Sequence, residues 1–172
     1  MKSLALGAFL LVPAVAAVAA LGAGAGHPLV LSEKGVGGLQ LGRSLAQIQK
    51  LHLIGSIRMG CDLSSTPSYN ASLKAPLKGD ATFDGNKPTS RLVALSITGG
   101  AVTNRGVAIG STAAAVKHAY PTATVQDSPP PNALVFYALA VQNGTRDLLW
   151  FLLDHHGGKV ELFDVPVPQF CD

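Results

Sequence analysis

Asp154, His155 and His156 stand side by side, a carboxylate followed by two imidazoles, and these are donor types that hold zinc or a nonhaem metal. A metal held there would activate water, which makes a small metal-dependent hydrolase one reading of the chain. The surroundings favour another. Gly157 and Gly158 follow directly and apolar runs flank the cluster, so polar residues here suit a tight turn. Successive residues of an extended chain face opposite ways, so neighbouring imidazoles need not converge. Turn formation is the expected role, and no metal or other cofactor is assigned. His27, His52 and His118 are scattered, with no H-E-x-x-H pair among them. A G-x-S-x-G nucleophile elbow is absent, and Glu33 and Glu161, the only glutamates, form no evident acid/base pair. A non-catalytic protein is expected.

The other residues suited to recognition are aromatic. Phe136, Tyr137, Trp150, Phe151 and Phe163 gather in one late stretch. Strand alternation sends Trp150 and Phe151 to opposite faces, so one belongs to a core and the other, with Tyr137, is a candidate contact for a protein partner unless a helix covers that face. Cys61 and Cys171 are the only cysteines. In an exported chain they are expected to form a disulfide, worth about 4 to 5 kcal/mol at best for so long a loop. A free buried thiol is the alternative, and without C-x-x-C a redox role is weak. Asn70-Ala71-Ser72 and Asn143-Gly144-Thr145 match the glycosylation acceptor pattern, which is taken as incidental.

The elements that must position these residues are announced by a repeat. Gly38-Leu39-Gln40-Leu41-Gly42-Arg43-Ser44-Leu45-Ala46-Gln47-Ile48 returns 68 residues later as Gly106-Val107-Ala108-Ile109-Gly110-Ser111-Thr112-Ala113-Ala114-Ala115-Val116. The same offset pairs Phe83 with Phe151, Arg91 with Lys159 and Leu92 with Val160, which argues for a duplicated unit. Each copy begins with a short extended run, Leu39 with Leu41 or Val107 with Ile109, and turns at Gly42 or Gly110. Ser44 and Thr112 then cap a helix, and Ser44 with Gln47 has capping-box spacing.

Ahead of the first copy, Lys2, the apolar run Leu4 to Leu21 and the small residues Ala23-Gly24-Ala25 read as a secretory signal peptide over residues 1–25. Pro13 and the lack of a basic stop-transfer cluster favour cleavage over a stable membrane anchor. A periplasmic or secreted protein is expected. Only 13% of residues are charged and the formal net charge is +3, so no nucleic-acid footprint is indicated. Lys and Arg outnumber Asp and Glu by eight to four in His27–Gly100, and the balance reverses to four against six in Ala101–Asp172. Two weakly charged, solvated faces are the expected reading, and attraction between the two halves is the alternative.

The spacing predicts a first helix from Ser44 to Leu53, with Leu45, Ile48, Leu51 and His52 on one face, and a second from Thr112 to Tyr120, stopped by Pro121. At most one edge strand is expected, around Tyr69 to Leu73. A hairpin is predicted from Gly79–Phe83 and Arg91–Ile97, and a three-stranded meander from Leu134–Val141, Asp147–Leu153 and Lys159–Asp164. His27 to Gly37 is read as a lead-in segment. The expected fold class is α+β, with two tandem units over residues 26–100 and 101–172, each a helix followed by an antiparallel meander packed on it.

At the two glycine-to-helix stretches the chain resembles the secreted β-lactamase inhibitory proteins and the BamE/SmpA-OmlA envelope proteins, where an extended segment, Gly and a Thr cap lead into a helix and antiparallel strands. Both copies here lack the Met that usually precedes the cap. It is also similar to uncharacterised exported bacterial proteins that open Gly-Val-Gly-x-Leu-x-Leu-Gly and repeat Thr-x-x-Gly-Val-x-Ile-Gly-Ser-Thr, as Gly35–Gly42 and Thr103–Thr112 do. The resemblance implies a binding module. Taken together, the residues and the resemblance lead to an exported, non-catalytic binding module for an envelope or secreted protein partner.

Overall fold

A computed structural model describes residues 28–60, 67–126 and 137–168. The chain opens with three short strands, β1 (Leu29–Ser32), β2 (Gly35–Val36) and β3 (Leu39–Gln40), before helix α1 (Leu45–Gln49). Four strands follow: β4 (Arg58–Met59), β5 (Tyr69–Ser72), β6 (Lys78–Phe83) and β7 (Leu92–Gly99). Then come β8 (Ala101–Thr103), α2 (Ala113–Ala119), β9 (Thr124–Gln126), β10 (Tyr137–Asn143), β11 (Arg146–Leu153) and β12 (Val160–Val165).

These strands form two sheets. The smaller runs β3-β2-β1-β8, and the larger runs β4-β5-β6-β7-β12-β11-β10-β9. Every pairing is antiparallel except β1 with β8, where Leu29, Val30 and Leu31 lie beside Ala101, Val102 and Thr103. From the central β7–β12 pair, the large sheet runs outward in both directions through strands of successively earlier sequence.

The expected α+β class, a helix with a meander packed on it in each unit, is therefore corrected: the fold is mostly β, built from a four-stranded and an eight-stranded sheet with two short helices. Much of the cover expected from helices is supplied by the small sheet. Leu31, Val36 and Leu39 lie in the same buried cluster as Phe83, Phe151 and Phe163, alongside Leu45 and Ile48 of α1 and Val116 of α2. The rings of Phe151 and Phe163 meet edge-on at 5.6 Å, and Tyr120, at the end of α2, lies 5.2 Å from Phe151.

Both helices start where the caps require. The Ser44 hydroxyl accepts from the Gln47 N–H at 3.3 Å while the Gln47 carboxamide accepts from the Ser44 N–H at 3.0 Å, a complete capping box. Thr112 accepts from the Ala115 N–H at 3.1 Å. Each cap follows a turn whose glycine has a φ that L side chains rarely adopt, +81° at Gly42 and +86° at Gly110. The first helix stops sooner than expected. It ends at Gln49, and His52 takes a left-handed φ of 57° and is exposed rather than facing the core.

Two other expectations change. The strand at Tyr69–Ser72 is interior, between β4 and β6, and not an edge. His27–Gly37 and the crossing after Gly100 contribute strands β1, β2 and β8, which are too short to show a period. The expected Cys61–Cys171 disulfide lies outside the described residues. Among the described residues no helix is long and apolar enough to cross a membrane.

Candidate functional site

The three aromatic residues singled out in the sequence do not share a surface. Phe151 is fully buried in the core. Trp150, its neighbour, is half-buried on the opposite face of β11, where it pairs with Ala140 on one side and Asp164 on the other. Tyr137 has the strand parity of Leu139 and Val141, which places it on the core side of the sheet, at the exposed margin where β10 begins beside Leu153. Alternation separates the adjacent pair and the structure shows which is core: Phe151 joins the core cluster and Trp150 does not.

The face that carries Trp150 is distinct from the core face. Ala94, Ala138, Ala140 and Leu152 are buried on it, yet none belongs to the core cluster that takes in both helices and the small sheet. The strand register lays a row across it: Ser72, Asp80, Ser96, Asp164, Trp150, Ala140 and Thr124, each beside the next. At the β4 edge the row is polar and open. Arg58 lies 3.5 Å from Asp80 and donates to the Ser72 hydroxyl, which donates to Asp80 in turn at 3.2 Å. An ion pair this exposed contributes little to stability.

Towards the middle, the row holds a buried acid. Asp164 is 2% exposed and accepts a hydrogen bond from the Ser96 hydroxyl. Burial raises its carboxyl to about 6, against the opposing pull of the Ser96 hydrogen bond. Beside it the Trp150 indole N–H is buried without a hydrogen-bond partner, as is the Asn70 side-chain oxygen on β5. An unpaired buried donor is costly, so such an atom is a place where an acceptor from outside would be favoured.

The Asp154-His155-His156 cluster is a turn. The Asp154 carboxylate accepts from the Gly158 N–H at 2.8 Å and the His156 N–H at 3.2 Å. The Gly158 N–H, with help from other backbone donors of the turn, holds the Asp154 carboxyl below the usual range. The two imidazoles do converge, their centroids 3.8 Å apart and their planes tilted by 44°. Even so, no group of three or more His, Cys, Asp or Glu among the described residues is arranged to hold a metal.

Sequence reasoning passed over Ser96 and Asp164, and read Asn70 only as part of an incidental glycosylation pattern. The signal for Asp164 was an acid set inside the apolar run Val160 to Val165, which alternation alone assigns to an outer face without saying that the face is shielded. No family model, curated protein or solved structure matches this chain.

Proposed function

We propose that the protein is an exported, non-catalytic binding module that engages an envelope or secreted protein through the Trp150 face of its large sheet. The observation that supports this is Trp150 itself, a half-buried indole outside the core whose N–H has no partner. Trp is the residue type most enriched where binding energy concentrates, because it offers a large apolar surface and one directional donor. A backbone carbonyl or a side-chain oxygen of the partner would satisfy that donor. Export follows from the signal-like first 25 residues, and cleavage there would release the protein to the periplasm or the medium.

The test is recovery of a crosslinked partner from an envelope fraction by the wild-type protein and by Trp150→Ala, with metal analysis of the same purified samples. Wild type should hold a specific protein that the variant loses, while both give the same circular dichroism. Stoichiometric metal that vanishes on replacing His155 and His156 by Ala would overturn the reading in favour of a metal-dependent enzyme.

A further inference from the structure

The β7–β12 ladder joins the two halves of the large sheet, and it is short. Its register pairs are Leu95 with Val165, Ser96 with Asp164 and Ile97 with Phe163, whereas the ladders on either side, β6–β7 and β11–β12, are longer. Leu95, Ile97, Phe163 and Val165 belong to the core cluster, so Ser96 and Asp164 are the outward-facing pair of this seam. They are also 68 residues apart, the spacing that separates the Ser44–Arg91 bridge from the Thr112–Lys159 bridge. The seam therefore sets one position of the 68-residue pattern against itself. Two acids there would repel, while Ser opposite Asp supplies a donor for an acceptor.

We infer that the β7–β12 seam is a proton-operated joint, closed while the buried Asp164 carries a proton and loosened when the ionised carboxylate, with the Ser96 hydroxyl as its donor, draws water into the seam. An ionised carboxylate this shielded needs several donors or a cation, and the side chains beside it across the seam and on β11 are Ser96 and Trp150. β7 carries no ionisable side chain. Among the described side chains, the other charged groups on the neighbouring strands are Lys78 and Asp80 on β6, with Arg58 as the partner of Asp80, Arg146 at the far end of β11, and Glu161 on β12 itself, and none contributes to the raised carboxyl. With the carboxyl near 6 in the folded chain and 3.8 as its ordinary value, the folded state binds the proton more tightly. Its stabilising contribution is complete below about pH 4 and is lost as pH rises through about 6. The β1–β8 pairing and the shared core continue to hold the halves, so deprotonation slackens one joint without separating them. This inference does not depend on the proposed binding role.

Trp150 is the only tryptophan and lies beside Asp164 across β11 and β12, so its fluorescence reports on the joint. The experiment follows that emission, chemical unfolding and native-state hydrogen exchange between pH 4 and 8 for wild type, Asp164→Asn and Ser96→Ala. Wild type should titrate near pH 6, and its unfolding equilibrium should shift about a hundredfold towards the unfolded state across that range, two pKa units at tenfold each. Amides of β7 and β12 should lose protection ahead of those in the β10–β11 hairpin. Asp164→Asn should abolish the transition, and Ser96→Ala should move its midpoint upward by removing the donor that favours the ionised form. A midpoint near 4, an Asn variant with the wild-type profile, or loss of protection spread evenly over the sheet would overturn the inference.

Discussion

Ser44 and Thr112 each hold one N–H of the first helical turn through a side-chain hydroxyl, and the second bond of the Ser44 capping box runs from its own backbone N–H to the Gln47 carboxamide. Ser44→Ala and Thr112→Ala should therefore each cost about 1 kcal/mol, near the middle of the range for N-caps, read from chemical unfolding. Phe151 is a different case. It is fully buried between Tyr120 and Phe163, and Phe151→Ala should destabilise by about 3 to 5 kcal/mol. Trp150→Phe, by contrast, keeps most of an apolar ring and removes an unpartnered buried N–H, so it should leave stability unchanged or raised. A loss above 1 kcal/mol would show that the indole N–H is satisfied in solution. At this scale much was legible from sequence, because caps and alternation are local rules. What alternation could not supply was which side of β11 faced the core.

Among the elements, those with long runs and turn residues were readable and the short ones were not. Gly144, at φ 62°, is the first residue of the two-residue turn between Asn143 and Arg146 that closes the predicted β10–β11 hairpin. The strands β2 and β3 have two residues each and pair with neighbours close in sequence, β2 with β1 and β3 with β2, so no periodicity could reveal them. Missing them, and β8, meant missing the small sheet and assigning its covering role to helices. Gly79 shows how closely strands are fitted in the large sheet. Its φ is 125°, it sits at the irregularity in the β6–β7 ladder, and an added Cβ would collide with the backbone oxygen of Ser96. Gly79→Ala should therefore destabilise by more than 1 kcal/mol, the usual gain from such a change having reversed sign, and it should disturb the Ser96–Asp164 pair on the adjoining strand. Thermal unfolding together with the Trp150 emission would register both effects.

For the whole molecule, the eight-stranded sheet divides the labour between its faces. One face, with Phe83, Phe151 and Phe163, takes the helices and the small sheet, and the other presents the row from Ser72 to Thr124 with Asp164 and Trp150 near its middle. Composition indicated no nucleic-acid footprint and offered no catalytic constellation, but it could not locate this row, whose members come from strands far apart in sequence. The central claim is that the Trp150 face meets a protein. The most direct test places a photo-crosslinking residue at position 150 and, in a separate sample, at His118, which is exposed on α2 away from that face. Illumination of intact cells should join one defined protein to position 150 and leave position 118 without it. Equal crosslinking from both positions, or none from position 150 in a folded protein, would contradict the account.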